Sequence, residues 1–285
     1  MTTTAMSSSK RILVVDDDPE ILDLLAAGLA GSDRQMESAS DGIEAMRRIE
    51  SEPFDLVITD VNMPNLDGLS LLEQIRRVRP DVPVVVMTVA NTPETIVRAI
   101  RDRAYTYLSK PFSLHAVAEV VDNALAGTAG DDDIQILSAC ANWLSLRLRC
   151  KMDTADRILH FLNAIQTGLG QEERESVAMA FREMLLNAIE HGGGHDPAKR
   201  VVVSYIRAEH SLLYYVRDPG KGFSMDNLTH AAISNPLESP VEHIEIRQQM
   251  GMRPGGYGIL MTRKLVDEVI YNEAGNEVLL IKYLK

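Results

Sequence analysis

The sequence predicts two consecutive α/β domains: a doubly wound, five-stranded parallel sheet, followed by an α/β sandwich with a mixed, mostly antiparallel sheet. Three observations lead there. Over residues 10–127 short continuous apolar runs alternate with stretches of helical periodicity, the pattern of strands buried on both faces and joined by crossover helices. The segment Ala126-Gly127-Thr128-Ala129-Gly130-Asp131-Asp132-Asp133 is small, polar and charged, which marks a boundary, with residues 128–135 as the linker. Beyond it, over 136–285, strands of alternating polarity and short turns replace the strand–helix alternation. A chain of 285 residues is long enough for two cores.

Composition narrows the partners. Asp and Glu number 41 against 29 Lys and Arg, so there is no basic surplus to neutralise phosphates, and direct nucleic-acid binding is not expected. No apolar run approaches the length that crosses a membrane. Residues 1–9 lack the apolar core of a signal peptide and read as a disordered tail, so a cytoplasmic location is expected. Cys140 and Cys150 have no second cysteine pair nearby, which favours reduced thiols over a metal site or a disulfide framework.

In the first domain, Ile12-Leu13-Val14-Val15 is a buried strand that stops at Asp16-Asp17-Asp18-Pro19. Asp18 caps the helix that Pro19 begins, and Ile21, Leu24, Leu25 and Leu29 line one side of it as far as Ala30. A weaker strand covers Gln35 to Ser38. Leu56 to Asp60 precedes a helix from Gly68, Val82 to Thr88 one from Pro93, and Tyr105 to Ser109 one from Ser113. In such a sheet, chemistry gathers outside the carboxyl ends of the strands, which here carry Asp16, Asp17, Asp60, Thr88 and Lys110. Crowded carboxylates repel one another unless a cation neutralises them, and magnesium suits oxygen ligands of this kind. A carboxylate beside a divalent ion and a lysine is equipped to attack a phosphoryl group, with the Thr88 hydroxyl placed to bond the arriving anion.

The runs VVDDDP, VITDVNMPNLDG, VMT and YLSKPF, in this order, resemble the receiver domain of response regulators over the whole segment. The resemblance implies that Asp60 is the phosphoacceptor and that an upstream histidine kinase is the donor. Asp16 and Asp17 would be the acidic pair that holds Mg2+ with Asp60 and the Asn62 carbonyl. Thr88 and Tyr107 would rearrange on phosphorylation, Lys110 would contact the phosphoryl group, and the Lys110–Pro111 peptide would be cis. One departure is Arg103, where many receivers carry glycine.

In the second domain, Trp143 to Cys150 alternates as a half-buried strand, and Asp153 caps a helix reaching Leu169. Gly170 and Gln171 then turn into a helix on which Val177, Phe181, Met184, Leu185, Ala188 and Ile189 share a buried face. Glu183 and Asn187 lie four apart on the opposite stripe, and Gly192 to Gly194 are expected to end the helix. A carboxylate and an amide one turn apart can hold a divalent cation and orient a nucleophile. Val201 to Ile206 and Leu212 to Val216 form a hairpin, and Glu268 to Tyr271 and Glu277 to Leu284 a second one across Ala274-Gly275-Asn276. Residues 224–253 between two glycine clusters are long, mixed and polar, as a functional loop would be.

Glu183-x-x-x-Asn187, then Asp218-Pro219-Gly220-Lys221-Gly222, then Gly255-Gly256-Tyr257-Gly258 is an order similar to that of the GHKL ATPases, the family of gyrase and histidine-kinase ATP-binding domains. Asn187 to Gly192, reading NAIEHG, is most similar to the anti-sigma-factor serine/threonine kinases. The resemblance implies ATP and Mg2+ as cofactors, with Asn187 on the magnesium and Asp218 on the adenine amino group. Gly220, Gly222, Gly256 and Gly258 would let backbone approach the nucleotide, and Glu183 would be the general base. The loop, about 224–255, would be a lid over the phosphates, with Arg253 reaching the terminal one.

The leading functional expectation is a phosphorylation-controlled response regulator whose output is a serine/threonine protein kinase. Its substrate would be a serine on a small antagonist protein, in a system that also involves a sigma factor. One alternative is a nucleotide-binding scaffold that holds such a partner without turnover. Another is a soluble histidine kinase, for which His160 is the one helical histidine between linker and ATP motifs; Arg157 to Leu162 lacks the usual surrounding pattern. The chain has no GxxxxGK[ST] motif. His191 and His195 invite a metal reading, but the glycines between them break the alignment it needs. Homodimerisation and the direction of control are left open.

Overall fold

The computed structural model describes residues 9–31, 33–89, 92–126, 133–140, 142–165, 168–223 and 257–284. The chain divides into two compact units, one ending at Asp131 and the other beginning at Asp132.

The first unit runs β1 (Lys10–Val15), α1 (Pro19–Leu29), β2 (Arg34–Ala39), α2 (Gly42–Ser51), β3 (Leu56–Asp60), α3 (Gly68–Val78), β4 (Val84–Thr88), α4 (Pro93–Arg101), β5 (Thr106–Ser109) and α5 (Leu114–Ala126). Its sheet has the order β2-β1-β3-β4-β5 and every pairing is parallel. All of β3 and β4 is buried, which is why those stretches read as unbroken apolar runs. Edge strand β2 is mostly half-exposed, hence its weaker pattern. β4 begins at Val84, not Val82, because Pro83 has no N–H to add to the ladder and contributes only its carbonyl, which accepts from Val57. Side-chain caps open the helices: Asp18 accepts from Glu20 N–H, Asp41 from Glu44, and Asp67 from Leu69 and Ser70. Strand ends and capped helix starts therefore meet along one edge. Arg103 adopts φ +61°, the left-handed conformation glycine takes easily, and its carbonyl accepts two bonds from the Arg76 guanidinium.

The second unit runs β6 (Ile134–Cys140), β7 (Trp143–Arg149), α6 (Met152–Ala164), α7 (Gln171–Asn187), a π-helical turn (Ala188–Gly193), β8 (Arg200–Arg207), β9 (Ser211–Arg217), α8 (Gly258–Leu265), β10 (Glu268–Tyr271) and β11 (Glu277–Tyr283). The six-stranded sheet has the order β10-β11-β9-β8-β7-β6. All five pairings are antiparallel, so among the described residues no parallel pair makes the sheet mixed. Leu144, Leu146 and Leu148 alternate into the core with Val201, Val203, Tyr205, Leu212, Tyr214, Val216, Val278 and Leu280. There they meet Phe181, Met184 and Leu185 of α7. Tyr214 packs between Phe181 and Tyr205, with ring centroids 5.4 Å from each.

Three local expectations need correction. β6 starts at Ile134, inside the stretch assigned to the linker, because Asp133 is not a solvated charge. Only 2% exposed, it bonds Lys151 Nζ at 3.0 Å and lies 3.2 Å from Arg149 Nε, while its carbonyl accepts the Arg149 N–H. Asp153 does not cap α6: Lys151 holds that position without a side-chain bond, and Asp153 accepts from Thr154 N–H. That helix ends at Ala164, where Ile165 turns extended and is buried.

Two turns of the second unit interlock. Gly222 has φ +75°, and a Cβ there would overlap the Ala274 carbonyl oxygen and stand 2.7 Å from its carbon. Gly275, also at φ +75°, meets the Phe223 carbonyl in the same way. Gly222→Ala is therefore expected to destabilise this unit by about 3 kcal/mol, from backbone strain and from overlap with a neighbour that is itself backbone. Denaturant unfolding checks it; an unchanged midpoint would show that the turns can part freely.

Candidate functional site

Four carboxyl-end positions of the first sheet converge. Asp16 follows β1, Asp60 ends β3, Thr88 ends β4 and Lys110 follows β5. Asp16 and Asp60 are 1% and 5% exposed. Lys110 Nζ lies 2.7 Å from Asp16 Oδ2 and 2.6 Å from Asp60 Oδ1, so one ammonium bridges two buried carboxylates. The Asn62 N–H donates to Asp60 Oδ2 at 2.5 Å, and the Asn62 amide donates to Thr88 Oγ1 at 3.2 Å. Asp16 Oδ1 accepts the Asp18 N–H at 3.1 Å, which ties the acidic turn to the helix cap. Asp17 stands exposed at the rim. Tyr107 is buried within β5, and burial together with the Asp60 charge raises its hydroxyl pKa. Lys110–Pro111 is cis.

The electrostatics follow from burial. Desolvation raises the Asp60 pKa, and the bond and charge of Lys110 oppose that rise. For Lys110, desolvation pulls the other way and the bonds to Asp16 and Asp60 prevail, so its pKa is raised. Among the described residues no three His, Cys, Asp or Glu side chains gather as a ligand group. Two carboxylates facing one ammonium nevertheless leave the pocket net negative, and Mg2+ needs only one or two carboxylates beside neutral oxygens and waters. Asp16, Asp60 and the Asn62 carbonyl fit that demand, with Asp17 at the rim.

Gly68 is a residue that sequence reasoning used only as a helix start. A Cβ on it would overlap the Asp60 carbonyl oxygen, and its N–H donates to Val61 O, so α3 begins directly against the backbone of Asp60. Beside Asn62 a groove of about 650 Å³ opens between α3 and α4, with Asp67 and Arg98 on its wall. Arg98 donates to Ser70 Oγ and pairs with Asp67 and Asp102, joining the two helices there.

In the second unit α7 presents Glu183 and Asn187 one turn apart. Asn187 Nδ2 lies 3.4 Å from Glu183 Oε1, which turns the amide nitrogen toward the carboxylate and leaves Oδ1 for a cation. The helix ends within the glycine run, as expected, but not as a regular α-helix. It widens into the π-helical turn and closes on Gly194 at φ +64°. The reason is packing: a Cβ on Gly192 would overlap the Asp218 carboxyl group, and one on Gly193 would overlap Cys150 Sγ. Gly192 thus belongs to the site, as a wall against Asp218, although in sequence it reads as a helix stop.

Asp218 follows β9, with its N–H on Asn276 O at 3.0 Å. Its Oδ1 accepts the Gly220 N–H at 2.7 Å. Burial raises its pKa, and the Gly220 bond opposes the rise. A Cβ on Gly220 would stand 2.7 Å from that same oxygen and 3.0 Å from Gly192 Cα, so the carboxylate lies in a slot between two glycines. A half-buried acceptor in a slot of this kind suits the exocyclic amino group of a purine, and Asn187 Oδ1 suits its magnesium. Gly222 serves the interlocked turns. Gly258 opens α8, and a Cβ on it would overlap Glu183 Oε1. Arg253, Gly256 and the lid over 224–255 lie outside the described residues. His191 is exposed, His195 has φ +55°, and His160 is half-buried in α6.

Residues 12–122 match the response regulator receiver domain family, and residues 148–282 match the histidine kinase-like ATPase domain family. The chain is similar to the transcriptional regulatory protein GlrR of Escherichia coli (strain K12), 33% identical over 138 residues, covering 48% of this chain and 31% of the relative. It is also similar to the DNA-binding transcriptional regulator NtrC of Azospirillum brasilense, 38% identical over 118 residues, covering 41% and 24%. The chain thus spans about a third or less of the length of these curated relatives. Among solved structures, a CheY-like response regulator receiver domain protein from Methanospirillum hungatei JF-1 is 32% identical, with 41% of this chain and 94% of that one covered and a TM-score of 0.41.

Proposed function

From a chain in which residues 12–122 are a response regulator receiver domain and residues 148–282 a histidine kinase-like ATPase domain, we infer a phosphorylation-controlled regulator whose output is an ATP-dependent serine/threonine kinase. Its substrate is a serine on a small antagonist protein in a sigma-factor switch. The observation that carries this reading is the Glu183–Asn187 pair on α7, whose π-helical continuation sets Gly192 against Asp218.

ATP bound with Mg2+ supplies the phosphoryl group and the neutralising charge. Asp218 and the glycines around it select the adenine edge. Asn187 offers its Oδ1 to the magnesium and steadies Glu183 with its amide N–H. Glu183 takes the proton of the serine hydroxyl as the Ser O–P bond forms and the β–γ bridging O–P bond breaks, its electron pair leaving with ADP. Upstream, a histidine kinase charges Asp60, whose carboxylate is held by Lys110 and the Asn62 N–H. Thr88, joined to Asn62, and Tyr107 on the neighbouring strand β5 are the groups through which the added charge is felt. Among the described residues no helix is long and apolar enough to cross a membrane.

The test is transfer of labelled phosphate from ATP to an antagonist protein that co-purifies with the chain. Acid-stable label on serine is expected, reduced on the order of 10²-fold or more in Glu183→Gln. Acid-labile label would turn the reading to a histidine kinase. Stable complex formation with no transfer would leave the scaffold.

A further inference from the structure

We propose that Gly258 is a positioning residue for Glu183: the missing side chain at the start of α8 makes the space in which the carboxylate is held. The inference rests on the reading of Glu183 as the base and assigns Gly258 a role other than nucleotide contact.

The nearest atoms that a Cβ on Gly258 would meet all belong to Glu183. It would overlap Oε1 and stand 2.7 Å from Cδ and 2.8 Å from Cγ. The same Oε1 faces Asn187 Nδ2 at 3.4 Å. The carboxylate therefore lies between an amide on its own helix and the bare Cα of the next one, with α7 and α8 packed together. Backbone conformation does not explain the glycine. Unlike Gly222, Gly258 does not adopt a positive φ, so an L side chain is allowed there. Gly258 is the first residue of α8, where the backbone would accept alanine, so glycine serves there for room.

The obstacle for an added methyl is the far end of a flexible side chain, not backbone. Gly258→Ala is thus expected to fold, to melt no lower than wild type, and to displace Glu183. A misplacement of about 1 Å at a reacting group costs on the order of 10²-fold in rate. In the full chain with Mg2+-ATP, water taking the place of the serine hydroxyl, kcat for hydrolysis is expected to fall roughly 10- to 100-fold. KM for ATP and the calorimetric Kd for ADP should stay within about twofold, since only an interaction made in the transition state is lost.

In a Glu183→Gln background the same change should lower kcat no further, because the group through which Gly258 acts is gone. A readout free of turnover is the side-chain carboxyl carbon resonance of Glu183, which should move in Gly258→Ala. An unmoved resonance overturns the proposal. So does a loss of ADP affinity with kcat retained, which would make Gly258 a nucleotide contact, or an equal fall in kcat with and without Glu183. If Glu183→Gln itself keeps the wild-type rate, the base assignment fails and this inference with it; if Glu183→Gln is slow and Gly258→Ala is fast, only this inference fails.

Discussion

Lys110→Met is expected to destabilise the receiver unit by about 3–5 kcal/mol, the usual cost of stripping a buried charge of its partner. The ammonium lies 2.7 Å from Asp16 and 2.6 Å from Asp60, and both carboxylates are almost wholly buried. Methionine fills a similar volume, so the loss comes from charge, not from a cavity. Its pH dependence has a definite sign. The Asp60 pKa is already raised by burial, so ionising it opposes folding, and that opposition disappears as pH falls through the raised value. Without Lys110 the rise is larger, so the deficit should be greatest at neutral pH and shrink in acid. In wild type, the stability contributed by Lys110 is fully present below the ordinary lysine value of 10.5 and is lost as pH climbs through its raised pKa. Urea unfolding at pH 5 and pH 8 measures the difference. Asp16→Asn added to Lys110→Met should recover much of it, and millimolar Mg2+ part of it. A deficit below about 1 kcal/mol at both pH values would mean that the lysine is not the counter-charge of the pocket.

Asp218→Asn is expected to weaken ADP binding by about 10- to 100-fold or more, the worth of a hydrogen bond to a charged acceptor. The unit itself should melt at or above the wild-type temperature. The carboxylate is half-buried, its pKa is raised by desolvation, and a single backbone N–H opposes the rise. Its ionised form therefore costs folding energy above the raised pKa, a cost relieved as pH falls through it. An amide keeps an oxygen for the Gly220 N–H and removes the charge. Stability and nucleotide affinity should move in opposite directions, which separates a binding residue from a structural one. Calorimetry with ADP and a melting curve suffice. An ADP Kd within about threefold of wild type would place the adenine elsewhere.

The receiver pocket was legible because it is assembled from local events. β1, β3 and β4 are apolar runs that stop at a polar residue, the helix after each starts on a side-chain cap, and parallel topology brings those stops to one edge. Asp18 could be recognised as a cap from its immediate neighbours, and Asp16, Asp60, Thr88 and Lys110 then had to converge. The ATP motifs were legible as residue types in order. Their division of labour was not.

By itself the sequence determined the two domains and the parallel and antiparallel patterns. Tertiary structure alone decided that Asp133 is a buried ion-paired anchor and that Gly192 lies against Asp218. It also decided that Gly222 locks a turn onto Ala274 and that Gly258 makes room for Glu183. The physical reason is common to all four. Burial of a charge and absence of a side chain have meaning only against the atoms that come to lie beside them, and those atoms arrive from distant parts of the chain when the sheet and helices pack.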